Sequence, residues 1–381
     1  MTDVSVNLLL DDERVDSDLL SQLVRAEVRE SDTDPTVVTL RFKLTQRPNG
    51  EFSPLDDDTF TPAAKLDLDL AAPGGLPQRL FSGHVTHVRP HFEIIESNCY
   101  LEVLGMDSAA ILDVQDRAFP YPDTTDAEAA QQVFDRYGIT ADVTDTPARH
   151  LEDRQLLIQR ETDWQFLKRL ARRNGFVCFF EFDQASSEVK AYFGPPKIDA
   201  DPQPDLTILR ENPNLTWFDV QHSLVSPVRH AGSAIDPIAK RVLRSTDEPL
   251  LELLGGDDVA AATEEGLTSN SVEEATALLR DSTPLDAAIG RAGSAASDRD
   301  RFLLEARGEL EPLQYRGLLR ARRPVLVKGV GKLLAGVWYV RAVRTTMEEA
   351  TLTQTFAFSR NALGPSGAEK FGQSAEEVPP Q

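Results

Sequence analysis

The sequence contains 381 residues, of which 41% are hydrophobic and 27% are charged, and its formal net charge at pH 7 is −22. A chain of this length exceeds one ordinary hydrophobic core, so two or three domains are expected. The negative charge argues against nucleic-acid binding, because phosphate recognition needs a positive surface, and the apolar runs are too short for direct membrane insertion.

The N-terminus and the cysteines indicate the compartment. The first residues, MTDVSVNLLLDDE, lack the basic region and apolar core of a secretory signal, so synthesis in the cytoplasm is expected. The two cysteines, Cys99 and Cys178, lie far apart and each falls in a β-like run. This placement favours buried free thiols over a disulfide, and it argues against a metal–thiolate site.

Residues 1–118 are predicted to form a β-rich first domain. Apolar and polar residues alternate along several stretches, which indicates strands with one buried and one wet face. The predicted strands are 24–29, 38–44, 65–70, 80–88 and 100–104. Together they favour an antiparallel barrel or half-barrel. The acidic segment 47–62 between two of them is either a projecting contact loop or an ordinary surface loop.

Residues 119–204 are predicted to form a small inserted α+β domain that begins and ends in proline-rich sequence. Thr125 and Glu128 form a capping box, which predicts a helix that stops at Gly138. After a second helix, two aromatic and β-branched runs at 176–182 and 189–193 flank a polar turn and predict a hairpin.

The second helix of this domain is the most strongly specified element. Thr162 and Gln165 predict a capping box at its start, and Asn174-Gly175 predicts its end. One face is apolar and the other is basic. The expected core residues are Trp164, Phe166, Leu167 and Leu170. The basic residues, which form either a solvated face or a docking patch, are Lys168, Arg169, Arg172 and Arg173.

Residues 205–363 are predicted to form a second β-barrel domain, with a helical insertion near 255–300 and a flexible tail at 364–381. Within the insertion, Ser271 and Glu274 predict a capping box and a helix that includes Ala275, Leu278 and Leu279. The aromatic residues expected in the barrel core are Trp217, Trp338 and Tyr339.

Several segments carry a resemblance to a known family. Residues 161–176 read Glu-Thr-Asp-Trp-x-Phe-Leu-x-Arg-Leu-Ala-x-x-x-Gly-Phe, and an aromatic strand ending Phe-Phe-Glu follows. This order resembles the signature segment of the phage late control D and VgrG hub family of contractile tails and type VI secretion. Segments that resemble other parts of the family, in the family's order, are 81–88, 100–107, 218–242, 324–343 and 360–363.

The resemblance implies a mostly β fold in which two similar antiparallel β-barrel domains flank the α+β domain. Three chains would form a pseudo-sixfold ring, and this homotrimer would be a non-enzymatic baseplate hub without a cofactor. Its partners would be the hexameric tail-tube protein, a trimeric spike protein and other baseplate components. Because the sequence stops before an OB-fold or a β-helical needle, the spike is expected to be a separate chain. The assembled particle could be a phage tail, a tailocin or an extracellular injection system.

Local motifs for chemistry are weak. His84, His87 and His91 resemble a metal cluster, but neighbouring positions on a strand alternate in direction, so His84 and His87 are not expected to share one ion. The stretch 329–332, Gly-Val-Gly-Lys, lacks the spacing of a phosphate-binding loop and predicts a hairpin turn. Neither cysteine has a catalytic signature.

Two other functions stay open from the sequence. A tail-associated cell-wall hydrolase predicts a pocket with convergent carboxylates of unlike pKa. A carbohydrate-binding β-protein predicts exposed aromatic platforms, whereas the aromatic residues here fall mostly on alternating, core-like positions.

Overall fold

The computed structural model describes residues 4–72, 75–153, 155–226, 229–236, 238–246, 248–270, 276–279, 286–315, 317–348 and 351–367. Its dominant feature is one sheet of thirteen strands. The strands come from two β-rich sections of the chain, one before and one after a mixed section of helices and small sheets. The mixed section of helices and small sheets packs beside it. The expected mostly β fold is therefore confirmed, and its main element is this large, mostly antiparallel sheet.

The first section consists mainly of long strands. They are β1 (Ser5–Leu10), β2 (Glu13–Arg14), β3 (Leu23–Ser31), β4 (Val37–Lys43), β5 (Thr45–Gln46), β6 (Phe52–Ser53), β7 (Lys65–Ala71), β8 (Gln78–His91) and β9 (Tyr100–Met106), with helices α1 (Ser17–Ser21) and α2 (Ala109–Leu112). Along β4 the predicted alternation is confirmed, because Val38, Leu40 and Phe42 are fully buried while their neighbours are not.

The middle section contains the two predicted helices. Its elements are β10 (Asp116–Tyr121), β11 (Thr124–Thr125), α3 (Asp126–Arg136), β12 (Ala141–Val143), β13 (Arg149–His150), β14 (Leu157–Thr162), α4 (Asp163–Asn174), β15 (Val177–Asp183) and β16 (Glu188–Gly194). Thr125 and Glu128 form both bonds of the predicted capping box. The Thr162 hydroxyl accepts from the Gln165 amide, and Gly175 closes α4 with a φ of 69°. The predicted hairpin is β15 paired with β16.

The second section adds the remaining strands and an insertion. Its strands are β17 (Gln203–Thr207), β18 (Leu215–His222), β19 (Arg229–Ala231), β20 (Ser233–Asp236), β21 (Arg241–Arg244), β22 (Asp257–Asp258), β23 (Thr276–Leu278), β24 (Leu304–Leu310), β25 (Pro324–Lys328), β26 (Gly336–Glu348), β27 (Thr351–Arg360) and β28 (Ala362–Leu363). Its helices are α5 (Val259–Ser269), α6 (Asp286–Asp300) and α7 (Pro312–Tyr315).

One predicted helix of the insertion is wrong. Ser271, Glu274 and Ala275 lie outside the described residues, but Leu278 belongs to strand β23. There it pairs with Ala231 of β19 in a parallel register. A strand partner distant in sequence therefore outweighs the local helical signal. The helices of the insertion are α5 and α6, on either side of this strand.

The two β sections are fused by one long strand. The sheet order is β18-β24-β27-β26-β3-β4-β9-β8-β7-β1-β2, with β25 also on β26 and β17 on β25. The start of β26 pairs with β25, whereas residues Ala342 to Glu348 pair with Ser31 to Arg25 of β3. Because β26 pairs with strands of both sections, the two sections form one continuous hydrogen-bonded sheet.

Three large buried clusters lie beneath this architecture. One lies mainly in the first section, with Leu318, Met347 and Leu352 added from the second, one lies in the second section and one mainly in the middle section. Helix α2 contributes Ala109 and Leu112 to the middle cluster, although both precede residue 119. The boundaries at 118, 204 and 363 stay predictions.

Trp217 is not a core residue as expected, since 43% of its surface is exposed. The pairing of β18 with β24 shifts between Leu215 and Trp217, and the next residue, Phe218, turns inward. Its ring lies 5.7 Å from that of the buried Trp338 in an edge-to-face contact. Because neighbouring side chains on a strand point to opposite faces, an inward Phe218 directs Trp217 outward.

Arg322 is the point at which all three sections meet. Only 3% of its surface is exposed. Its guanidinium donates to the Ser31 carbonyl (2.7 Å) and the Thr36 hydroxyl (2.9 Å) of the first section. It also donates to the Phe180 carbonyl (3.1 Å) of the middle section. The backbone amide of Arg322 donates to the Val340 carbonyl (2.7 Å) of β26. One buried side chain thus links all three sections by hydrogen bonds.

We expect Arg322→Met to lower the free energy of unfolding by about 3–5 kcal/mol, because it leaves buried acceptors without their charged donor. Arg323→Met is the matched control: its side chain is 48% exposed and pairs with one carboxylate, that of Glu181. Such a pair contributes at most about 1 kcal/mol. Urea unfolding of both variants measures the difference. Equal losses would contradict the role assigned to Arg322.

Candidate functional site

Helix α4 is held at its start by a buried carboxylate. Asp163, in the first turn, accepts hydrogen bonds from four side chains and is fully buried. The donors are Arg117 (2.7 Å), Arg136 (2.6 Å), Tyr137 (2.7 Å) and Gln159 (2.8 Å). Burial alone would raise the pKa of Asp163, but the bonds from Gln159, Tyr137 and the two arginines outweigh it and lower the pKa.

The other end of α4 is held by a second buried carboxylate. Asp126, at the start of α3, accepts from Arg173 Nε at 2.6 Å, Asn174 Nδ2 at 2.7 Å and His150 Nε2 at 2.8 Å. Burial raises the pKa of Asp126, but the bonds from His150 and Arg173 outweigh this effect and lower it to about 2. Arg173 of the predicted docking patch is therefore an internal anchor that joins α3 to α4.

The exposed side of α4 borders a cleft of about 910 Å³, whose other walls come from α6 and β26. Gly175 is required at this junction, since its φ is 69° and a Cβ there would lie 2.9 Å from Ala295 Cβ of α6. Part of the lining is apolar and comes from Phe176, Val177 and Phe302. The cationic lining residues are Lys168, Arg169, Arg172, Arg173, Arg299 and Arg341.

Carboxylates offset part of this positive charge. Asp32, Glu161 and Asp298 also line the cleft. Arg169 pairs with Glu161 at 2.7 Å, and Arg341 pairs with Asp32 at 3.3 Å. Cations outnumber carboxylates among the lining residues, so the cleft is a basic feature of an acidic protein. Its chemistry suits an acidic segment of another protein better than a cationic ligand.

The cleft unites residues that the sequence does not bring together. Lys168, Arg169 and Arg172 lie along it as a set, whereas Arg173 points inward to Asp126. The wall opposite α4 includes Tyr339, which the sequence predicts only as a core residue. Tyr339 lies more than one hundred residues from α4 in the chain, so its position in the cleft could not be predicted. The buried Tyr339 hydroxyl has no hydrogen-bond partner among the described residues. No local sequence signal marks such a wall.

Six of the seven predicted core residues are buried. Trp164, Phe166, Leu167 and Leu170 are buried in the middle cluster, and Trp338 and Tyr339 are buried in the second section. Among the described residues, no group of three histidine, cysteine, aspartate or glutamate side chains is arranged to hold a metal ion. His84, His87 and His91 contact Ala63, Thr86 and Glu93 respectively.

Both cysteines are buried free thiols, as predicted. Burial raises the pKa of the Cys178 thiol, with a further contribution from Asp107, so the reactive thiolate is disfavoured. The helices that the structure describes include none with the length and apolarity needed to cross a membrane.

Comparison with known proteins gives one family and a shared fold. A family model described as the Alg8 N-terminal domain matches residues 13–207. No curated protein matches the sequence.

Three solved structures illustrate the fold. A 43 kDa tail protein of prophage MuSo2 from Shewanella oneidensis has a TM-score of 0.62 at 14% identity, covering 94% of this chain and 99% of its own. A tail protein from Neisseria meningitidis MC58 has a TM-score of 0.61 at 11% identity, and the match covers 95% of this chain and 98% of the tail protein. An E. coli component of the type VI secretion system, itself similar to T4 tail proteins, has a TM-score of 0.53 at 12% identity. This match covers 92% of the present chain and 77% of the E. coli chain. The resemblance to the hub family is thereby confirmed at the level of the fold.

We expect Asp126→Asn to lower the free energy of unfolding by about 3–5 kcal/mol at neutral pH, because Arg173 loses its buried counterion. The pKa of Asp126 is about 2 in the folded protein and 3.8 ordinarily. Its stabilising contribution is therefore present above about pH 4 and is lost as the pH falls through about 2.

The difference between wild type and Asp126→Asn should accordingly narrow by about 2 kcal/mol between about pH 5 and pH 2. Urea unfolding across this range measures it. Asp135→Asn, an exposed change on the same helix, is the control and should change stability by less than about 0.5 kcal/mol. A pH-independent difference would show that Asp126 is not the titrating anchor.

Proposed function

The chain belongs to the Alg8 N-terminal domain family, and from its structural likeness to tail proteins we propose that it is the structural baseplate hub of a contractile injection machine. The observation that carries the proposal is the extent of the structural match. The two bacterial tail proteins are covered over 99% and 98% of their own length, so the likeness involves the whole architecture rather than one common domain.

As a hub, the chain would form a homotrimer whose six β sections face a hexameric tail tube on one side and a trimeric spike, a separate chain, on the other. Such an adaptor needs β sections in fixed relative positions. The shared strand β26 and the buried Arg322 supply that rigidity within one chain. The protein would be made in the cytoplasm and assembled into a tail or injection particle, without enzymatic activity of its own.

Solution mass tests this proposal directly. One chain has a mass of 42.1 kDa, so a trimer has three times that, about 126 kDa. We expect light scattering to give the trimer mass for the purified chain alone or when it is co-expressed with the spike protein of the same particle. A monomer mass under both conditions would contradict the hub function.

We also propose a docking role for Lys168, Arg169 and Arg172, which border the cleft. Arg173 also lines the cleft, but its guanidinium is bonded to Asp126, so it has no part in this docking role. An acidic segment of another baseplate component or of the tail-tube protein is the partner that this charge and the adjoining apolar lining fit.

The double change Lys168→Glu and Arg169→Glu should weaken binding of that component by about tenfold or more, because it reverses the charge along the cleft. Lys43→Glu with Arg14→Glu changes the net charge equally at exposed sites on the first section and should leave binding within about twofold. Biolayer interferometry with the tail-tube and baseplate proteins of the same particle measures the effect of both double changes. Equal effects would assign the loss to general charge rather than to the cleft.

A further inference from the structure

The hairpin formed by β20 and β21 carries an exposed apolar surface. Ile235 and Val242 are direct cross-strand partners and are 68% and 62% exposed. Ile238, in the connecting turn, is 57% exposed. On the opposite face Leu243 is 3% exposed, so one face of the hairpin packs against the protein and the other face is exposed to solvent. A cluster of large apolar side chains on an otherwise polar surface is typical of an interaction site.

The same hairpin is locally basic. Lys240, Arg241 and Arg244 are exposed, and Asp236 is the one carboxylate between Ser233 and Arg244. The Arg241 Nε lies 3.9 Å from Asp236 Oδ2, so part of this charge is neutralised within the hairpin. A net positive, apolar projection is unusual on a chain whose net charge is −22. We call residues 233–244 the basic hairpin.

The first section carries a segment of opposite character, His91-Phe92-Glu93-Ile94-Ile95-Glu96, which we call the acidic segment. Phe92, Ile94 and Ile95 are 52%, 106% and 61% exposed. The amide of Glu93 donates to Cys99 Sγ at 3.2 Å, and Phe92 makes an edge contact with Phe52 at 5.1 Å between ring centroids. The segment is therefore held in place while its apolar side chains face outward.

Glu93 supplies negative charge at a defined position. Its carboxylate accepts from Asn98 Nδ2 at 2.9 Å and lies 3.1 Å from His91 Nε2. These two bonds lower the pKa of Glu93, which keeps it ionised at neutral pH. With Glu96, the segment presents two carboxylates beside three exposed apolar side chains.

We infer that the basic hairpin of one copy of this protein docks on the acidic segment of the next copy. The two surfaces match in charge and both expose apolar side chains, yet neither covers the other within one chain, because each is more than half exposed. Two basic hairpins facing each other would bring like charges together, so a head-to-tail contact is favoured over self-pairing. Head-to-tail contacts close into rings when the rotation permits. The inference rests on the proposed hub function and names the contact that would build its ring.

Charge reversal on each side tests the contact. The double changes Lys240→Glu with Arg244→Glu, and Glu93→Lys with Glu96→Lys, should each raise the dissociation constant of the trimer by about tenfold or more. Combining all four changes in one chain restores opposite charges across the contact, so the dissociation constant should return to within about threefold of wild type. Sedimentation equilibrium of the full chain, with the spike protein present if the trimer requires it, measures all four proteins.

The outcomes separate the two proposals. A wild-type monomer overturns the hub function together with the contact. A wild-type trimer that neither double change weakens leaves the hub function standing and overturns the contact. Weakening by each double change without restoration by the combination also overturns it, because complementary charge would then not be the cause.

Cross-linking gives a second test that does not depend on affinity. Ile94→Cys and Ile238→Cys place single thiols on the two surfaces, while the native Cys99 and Cys178 are buried. Mixed under mild oxidation, the two variants should form a disulfide-linked dimer that neither forms alone. Leu76→Cys, 74% exposed elsewhere on the first section, replaces Ile94→Cys in the control mixture. Equal cross-linking in the control mixture, or linkage of Ile238→Cys to itself, would overturn the head-to-tail contact.

Discussion

A buried guanidinium organises this molecule. Arg322 lies in the left-handed backbone region, with a φ of 69°, which a residue with a side chain adopts only where its surroundings compensate. The compensation is visible: its three donor bonds reach two other sections, and its guanidinium carbon lies 4.4 Å from the centroid of the Phe179 ring. Asp107 accepts from the Thr36 amide at 2.6 Å beside it, and burial raises the pKa of Asp107 to about 6. The junction therefore contains a buried guanidinium and a buried carboxyl group. Their hydrogen-bond partners are brought together only when the sections are assembled.

Helix α4 extends the same principle to the middle section. Its first turn is fixed by Asp163 and its last turn by the bonds of Arg173 and Asn174 to Asp126. A helix held at both ends cannot rotate without breaking buried charged hydrogen bonds, which are costly to lose. Its remaining cations consequently border the cleft in a fixed arrangement. Rigidity of this kind suits a surface that positions other proteins.

The sequence predicts the elements whose signals are local. The caps at Thr125 and Thr162, the stop at Gly175 and the alternation along β4 all depend on neighbours a few residues away. The errors arise where a distant partner decides. Leu278 becomes a strand because Ala231 pairs with it, and Trp217 turns outward because a register shift directs Phe218 inward. The cleft and the Arg322 junction join residues more than one hundred positions apart, so neither could be read from local pattern.

Net charge constrains how such chains can assemble. At −22 each, two copies repel over most of their surface, and salt screens that repulsion beyond about 8–10 Å. Close contact then requires local surfaces of opposite sign with apolar area to bury. Within the described residues, the basic hairpin around Ile235 and Val242 combines cations with exposed apolar side chains. The general repulsion disfavours other approaches of one copy to another. An acidic chain with a basic projection therefore restricts which of its faces a neighbouring copy can contact, since charge here limits orientation more than it adds affinity.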